Sequence, residues 1–402
     1  MKNVAIINNG DRGSTGNISL NLHRELQDRG YKSYFCYGRG DKGNGIDRYR
    51  IDSDFELKMH AMMTRITGLQ GFYSHNATTR LLRKFDEWNI DTIFVVCIHG
   101  YYINEKNLYQ YIANHNIRLI HIMIDEYAYT GKCAYRDDCD RYLVGCDNCP
   151  HKKDYPSSYL FDGSKRVFES KKSAYNNLTN SVFVGPQFVV EQALSSPLFK
   201  NIETAILDEA IDTDLFRPRN VENLKKSLGV NKDKTVILSV VPYDGEKNDR
   251  KGGRYFVDLA RRFEGDERFI FIHVGYRNKK EEKLPKNFIP IDFINNLDLL
   301  AEYFSLGDLF VFPSLLDTMP NACLDALSCG TPLLCFNISG MPYIANDEIG
   351  TFVEPRSIDE MARVVNSVQI KTPQIIEKCR GYALSRYNSK DYNDKLIKIA
   401  NN

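Results

Sequence analysis

Asp317 and Asp325 stand eight residues apart, in Phe310-Val-Phe-Pro-Ser-Leu-Leu-Asp317-Thr-Met-Pro-Asn-Ala-Cys-Leu-Asp325. The apolar run before them ends at Pro313. Thr318 can cap a helix with Pro320 in its first turn, and Gly330 stops that helix. One carboxylate then lies at the mouth of a loop and the other in the first turns of the helix. Ionised carboxylates accept hydrogen bonds from sugar hydroxyls. A helix N-terminus, here at Met319, Pro320 and Asn321, presents N–H groups and a partial positive charge that suit a phosphate. The set fits a diphosphate with one carboxylate meeting a sugar and the other a ribose.

Three other groups of residues carry chemistry. Gly13-Ser14-Thr15-Gly16 follows the first apolar run, where glycines let a backbone approach a diphosphate closely; the same glycines also suit a plain tight turn. His99 follows the buried-type run Thr92–Ile98, and loops after the C-terminal ends of parallel strands form sites. Cys133, Cys139, Cys146 and Cys149 follow a Cys-x5-Cys-x6-Cys-x2-Cys pattern within seventeen residues. In a reduced compartment that density suits tetrahedral thiolate ligation of a structural zinc, with free thiols or a redox pair as the alternatives and His151 as a spare ligand. A four-thiolate site is closed, so such a metal would brace a loop rather than catalyse.

The elements that must hold these groups are α/β throughout. Val4–Asn8 reads as the first strand, and the helix after it carries Ile18, Leu22 and Leu26 on one face. Residues 55–87 read as amphipathic helix with an apolar face (Met59, Met62, Met63, Ile66, Leu69, Phe72, Leu81, Leu82, Phe85) and a basic one (Lys58, Arg65, Arg80, Arg83, Lys84). That pattern suits packing on a sheet, or docking a lipid-linked acceptor near anionic headgroups. Leu119–Ile124 is a further strand with Asp125 at its end, and Ser181–Val184 is the last strand of a first domain. Residues 201–218 form a crossing. Thr235–Val241 opens a second domain, Arg250-Lys251-Gly252-Gly253 precedes a helix, and Phe269–Val274 is another buried strand. Pro373–Ala400 is helical. A chain of 402 residues with 43% hydrophobic content suits two cores. A net charge of +1 argues against nucleic-acid binding through bulk charge. No run reaches the length of a membrane span and the N-terminus has no signal-type apolar region, so the protein is expected in the cytoplasm, at most peripheral at the inner membrane face.

The Asp317–Asp325 segment with its tail Ala-Leu-Ser-Cys-Gly-Thr-Pro resembles the donor site of retaining glycosyltransferases of family 4, whose signature is Glu-x7-Glu followed by Ala-x-x-Cys-Gly-x-Pro. Gly13–Gly16, Tyr37-Gly38-Arg39, His99-Gly-Tyr-Tyr-x-Asn104 and the Thr130–Pro150 cysteine module are similar to the colanic-acid and capsule branch of that family. The resemblance implies a GT-B fold, two Rossmann-like domains facing a cleft. Residues 1–200 would be the acceptor side with a cysteine module at 130–151, and 201–385 the nucleotide-sugar side, with the helix of 386–402 returning to the first domain. It implies transfer of a sugar from a UDP- or GDP-sugar to a glycan or lipid-linked acceptor in surface polysaccharide synthesis, with no catalytic divalent metal. By the same resemblance Lys251 meets the donor phosphate with Arg250 or Lys247 beside it, the backbone near Phe293 meets the base, and Asp125 contacts an acceptor hydroxyl. Gly13, Ser14, Thr15 and Gly16 become the first domain's cleft loop. The chain departs from the pattern at several points. Both glutamates are aspartates, with about 1.5 Å less reach; Ile124 replaces a histidine, Glu209-Ala210 an Asn-Gly, and Tyr343 a glutamate. The double aspartate, Ile124 and Tyr343 favour, as an alternative, a GT-B scaffold that binds but does not catalyse; a sugar-nucleotide epimerase, which would interconvert donors with no acceptor present, is a further reading. A Rossmann oxidoreductase fits least, since the glycine spacing is wrong and only Arg39 with Asp41 could read a ribose.

Overall fold

The computed structural model describes residues 2–41, 45–243, 245, 250–277 and 283–402; Lys247 lies outside the described residues. The chain divides into two compact units, Met1–Leu207 with Asn393–Asn402, and Asp208–Tyr392.

The first unit is built on a seven-stranded parallel sheet. Its strands are β1 (Asn3–Gly10), β2 (Lys32–Arg39), β3 (Arg48–Arg50), β4 (Thr92–Val95), β5 (Arg118–Ile122), β6 (Ser181–Gly185) and β7 (Glu203–Ile206), in the spatial order 3-2-1-4-5-6-7. The inner strands read as near-continuous apolar runs because helices cover both faces of a parallel sheet; Val4–Ile7, Ile93–Val95 and Val182–Val184 are buried. Helices α1 (Gly13–Asp28), α2 (Asp54–Thr67), α3 (His75–Trp88), α4 (Glu105–Asn114), α5 (Ser164–Tyr175) and α6 (Gln187–Ser195) connect them, and the chain's last helix, α13 (Ser389–Asn401), lies largely in this unit. Arg118 Nη2 donates to Ile399 O (2.9 Å), Lys2 Nζ to Asn401 Oδ1 (3.0 Å), and Arg29 pairs with Asp394.

Three expectations about this unit are corrected. Ser181–Val184 is not the last strand: β7 lies at the sheet edge, inside the segment expected to be only a crossing. Its residues are half-exposed or exposed, so they lack the apolar run that marks a buried strand. The helical stretch 55–87 is two helices, broken after Gly68, which ends α2 at φ +73°. And α2 buries His60, Ala61 and Thr64 while Phe55, Met59 and Met62 face outward, so its apolar stripe is not its packing face.

The second unit has six parallel strands, β8 (Thr235–Tyr243), β9 (Phe269–Tyr276), β10 (Phe288–Ile291), β11 (Leu309–Phe312), β12 (Leu333–Phe336) and β13 (Gly350–Val353), in the order 10-9-8-11-12-13. Around them run α7 (Glu222–Ser227), α8 (Gly253–Arg262), α9 (Leu297–Leu306), α10 (Asn321–Ser328), α11 (Ile358–Ser367) and α12 (Pro373–Tyr387). One core cluster includes Leu238, Phe310, Leu324, Leu327 and Tyr387; a second, on the other side of the same strands, includes Ile237, Phe256, Phe271, Val311 and Met361. Neighbouring residues of β8 and of β11 fall in opposite clusters, as the period of two requires. In both units the strand order reverses once, between β1 and β4 and between β8 and β11. Crevices at such reversals, beyond the carboxyl ends of the strands, are where open α/β sheets bind ligands.

Candidate functional site

In the second unit the reversal brings together two loops that are 66 residues apart in sequence. One follows β8 and ends in Arg250-Lys251-Gly252; the other, Pro313–Pro320, follows β11. Lys251 Nζ pairs with Asp317 Oδ2, with the lysine side chain 30% exposed and the aspartate 13%. Arg250 Nη1 donates to Leu316 O (2.7 Å), and the Leu315 N–H donates to Arg250 O (2.9 Å). Gly252 sits at φ +76°, and a Cβ there would lie 1.8 Å from Pro313 O. Gly340 closes the other side: its N–H donates to Asp317 O (3.1 Å), and a Cβ would lie 1.7 Å from Thr318 O. Two glycines thus clamp the loop that carries Asp317, and each is required by a close backbone approach.

The loop leads into α10. The helix starts at Asn321 with Pro320 at its N-cap, so Thr318 is not the cap expected from sequence; it lies buried within the loop. Gly330, at φ +83°, ends the helix as expected. Met319 is buried, its sulfur accepting from the Glu209 N–H (3.2 Å), so its side chain is already engaged. Asp325 is buried in the second turn of α10, and its Oδ1 has no hydrogen-bond partner among the described residues. Burial, and then the facing Asp212, push its carboxyl well above the usual range. A buried, unpartnered carboxylate oxygen is costly unless something donates to it. Phe293, beyond β10, is 56% exposed, with the Arg277 guanidinium 5.0 Å from its ring centre.

In the first unit, Gly13 opens α1 at φ +77°. A Cβ on Gly16 would lie 2.7 Å from the Asp11 carbonyl carbon. Thr15 is held locally: Asn8 Nδ2 donates to its Oγ1 (3.3 Å), which donates to Asn9 Oδ1 (3.4 Å). Ser14 lies between the two glycines, in the first turn of α1.

The loops after β4 and β5 join His99 to Asp125. His99 Nε2 lies 2.6 Å from Asp125 Oδ2 and 3.4 Å from Cys97 Sγ, and Nδ1 lies 3.1 Å from the Tyr155 hydroxyl. Asp125 Oδ1 accepts from the Tyr127 N–H (3.0 Å). Burial alone would lower the His99 pKa, but the facing Cys97 and Asp125 outweigh it and hold the imidazole well above its ordinary value. A charged ring with a protein group on each nitrogen acts as a fixed cation and donor, not as a base. Cys97, His99 and Asp125 have ligand-type atoms all within 4.8 Å of one another.

Cys133, Cys139, Cys146 and Cys149 line one small cavity of ≈ 10 Å³. No three of their sulfurs meet the 4.8 Å spacing of the previous cluster. The donor chemistry fits a soft metal nonetheless. The Gly131 N–H donates to Cys146 Sγ (3.1 Å), Lys132, Arg136 and Arg141 share the lining, and no carboxylate does among the described residues, which suits the net negative charge of four thiolates around a divalent ion. His151 is engaged elsewhere, with Nδ1 2.9 Å from Asp154 Oδ2. Sequence reasoning missed Tyr155 and the buried lysines 132 and 171. Lys171 Nζ donates to Tyr127 O (2.6 Å) and stands 3.3 Å over the Tyr127 ring; burial lowers its pKa to about 8. Nothing in the local pattern signals a buried lysine, since Lys is ordinarily a surface residue.

The profile of the family described as "Glycosyl transferases group 1" matches residues 220–386. A protein of Escherichia coli (strain K12), named a colanic acid biosynthesis glycosyl transferase, is 22% identical over 94% of this chain and 92% of its own length. An E. coli UDP-Gal:alpha-D-GlcNAc-diphosphoundecaprenol alpha-1,3-galactosyltransferase is 26% identical over 48% of the chain and 53% of its own length. Among solved structures, the Anabaena protein Alr3699/HepE in complex with UDP-glucose superposes with a TM-score of 0.63 at 13% identity, covering 99% of both chains. WaaG, a glycosyltransferase involved in lipopolysaccharide biosynthesis, superposes with a TM-score of 0.60 at 15% identity over 99% of both chains. The chain therefore has the GT-B fold, and its residues 220–386 form a glycosyl transferases group 1 domain, which makes it a glycosyltransferase.

Proposed function

We propose that this protein is a retaining glycosyltransferase of family 4 that moves a sugar from a UDP- or GDP-sugar to a hydroxyl of a glycan or lipid-linked acceptor in surface polysaccharide synthesis. The observation that carries the reading is the clamped loop of the second unit. Lys251 and Asp317 are paired on it at the strand-order reversal, and it runs straight into the helix that buries Asp325. The names of the similar proteins support the substrate class: one acts in colanic acid biosynthesis, one transfers galactose from UDP-Gal to a diphosphoundecaprenol-linked sugar, and one was solved with UDP-glucose.

In this reading Lys251 turns from Asp317 to the donor diphosphate, assisted by Arg250 and by the helix end at Met319, Pro320 and Asn321. Together they neutralise the leaving group, so the diphosphate needs no divalent ion. Asp317, released from Lys251, accepts from the donor sugar's hydroxyls. Asp325 Oδ1 accepts from a ribose hydroxyl, which supplies its missing partner. Phe293 and Arg277 offer a face to the base. On the acceptor side Asp125 orients the incoming hydroxyl, the His99 cation stabilises charge, and the glycines of the Gly13–Gly16 turn allow close backbone approach to a diphosphate. The four cysteines hold a structural zinc. The outward face of α2 supports peripheral contact with the inner membrane surface.

Each charge-assisted contact is worth ~1.5–3 kcal/mol, which sets the effect of removing one at about 10- to 100-fold in rate. Release of nucleoside diphosphate from a panel of UDP- and GDP-sugars tests the reading. Lys251→Ala and Asp317→Ala should each slow release on that scale with the fold intact. Unchanged release in both would end it.

A further inference from the structure

The cysteine module and the His99–Asp125 pair are separate in sequence but continuous in structure. Lys132, immediately before Cys133, is 1% exposed, and its Nζ donates to three carbonyls of one following loop: Lys152 (2.9 Å), Asp154 (3.2 Å) and Pro156 (2.6 Å). That loop leaves the module at Cys149-Pro150. Between the second and third of those carbonyls stands Tyr155, whose hydroxyl lies 3.1 Å from His99 Nδ1. Its ring packs edge-on against both His99 (5.4 Å between centres) and Tyr101 (6.0 Å).

We propose that Tyr155 is a positioning residue for the His99–Asp125 pair, and that the metal-bound cysteine module sets it in place through Lys132. The proposal rests on the reading of Cys133, Cys139, Cys146 and Cys149 as metal ligands. A cation buried on the module's own chain is satisfied only if the 152–156 backbone curls round it, because an ammonium without acceptors is costly inside a protein. In the curled loop the Tyr155 hydroxyl meets the nitrogen of His99 that Asp125 leaves open. With Nε2 on the carboxylate and Nδ1 on the phenol oxygen, the ring is fixed in the orientation and protonation that a hydroxyl-binding acid pair needs. The titratable groups facing His99 are Cys97, Tyr101, Glu105, Asp125, Tyr127 and Tyr155. Of these only Tyr155 belongs to the loop that Lys132 gathers.

The test combines metal analysis with histidine NMR titration, the His99 signals being assigned by their loss in His99→Asn. The wild-type chain should carry about one zinc, the stoichiometry of a four-thiolate site. Tyr155→Phe should keep the zinc, because the ring still packs, yet lower the His99 pKa by about half a unit or more, as expected for one lost hydrogen bond to a charged group. Lys132→Met should give the same direction of shift. Cys149→Ser should release the zinc and move His99 the same way; if that variant does not fold, stripping zinc from the wild type with a chelator and restoring it supplies the same comparison. A His99 signal that titrates identically in wild type and Tyr155→Phe, with zinc still bound, overturns the positioning role. A wild-type chain without zinc, giving no thiolate-to-metal absorption with cobalt, overturns the reading of the cysteines instead.

Discussion

If Asp325 meets the donor ribose as proposed, it is the residue where stability and function pull in opposite directions. Its carboxylate is buried beside Asp212 with one oxygen unpartnered, so in the free protein it costs stability. Asp325→Asn keeps the shape and is neutral at every pH, so it escapes the cost, at neutral pH, of an acid whose pKa is higher folded than unfolded. It should raise the free protein's unfolding free energy by ~1–3 kcal/mol and shrink the thermal shift that UDP- or GDP-sugars produce. Both can be read in one melting experiment with and without nucleotide sugar. A variant no more stable than wild type, with the same ligand shift, would remove Asp325 from the site. The two acids themselves were legible from type and spacing. Their surroundings were not: Asp212 lies 113 residues earlier, and Lys251 meets Asp317 only because the sheet order reverses between β8 and β11.

Elements were legible where an apolar run ends at a glycine. β8 and β9 start at the residues expected for them, Thr235 and Phe269, and Gly330 closes α10, because a buried strand and a left-handed helix stop each leave a local mark. β7 left none, being short and at the edge. Gly252 shows what sequence alone leaves open: it reads as one of two glycines after a basic pair at the start of a helix, whereas the structure makes it the one residue type that lets Pro313 pass. Gly252→Ala should destabilise the second unit by at least ~2 kcal/mol, from the positive φ and the clash together, and abolish donor-induced stabilisation; a chemical denaturation series measures the first. Helix α2 was read for its amphipathic pattern, but that pattern does not say which face is inside. Phe55, Met59 and Met62 point out on a stripe shared with exposed Lys58 and Arg65, and the exposed residues Tyr159 and Phe161 are hydrogen-bonded by their N–H groups to the last turn, at Arg65 O (2.7 Å) and Ile66 O (3.0 Å). Replacing Phe55, Met59 and Met62 by serine should weaken sedimentation with anionic vesicles at least about tenfold, given the apolar area they offer, while leaving stability within about 0.5 kcal/mol because the positions are already in solvent. Equal binding by both proteins would dismiss this face as a membrane contact.

At the scale of the molecule, composition and length indicated two α/β cores, and the match to solved GT-B structures over nearly all of the chain agrees with that. Among the described residues no helix is long and apolar enough to cross a membrane. The boundaries fall a few residues from those expected, at Leu207/Asp208 and Tyr392/Asn393, since β7 still belongs to the first sheet and α13 changes unit near its start. The first unit is thus assembled from both ends of the chain, with Arg118, Arg29 and Lys2 all holding the last ten residues. Ending the chain at Tyr392 should lower the melting temperature of the first unit's transition by several degrees while leaving the second unit's transition in place, as two-transition calorimetry would record. The second unit, by contrast, is one uninterrupted insert. Anyone exchanging the second unit for that of another protein must therefore move 208–392 as a cassette spliced at two seams, because a single crossover would orphan the tail from the sheet it belongs to.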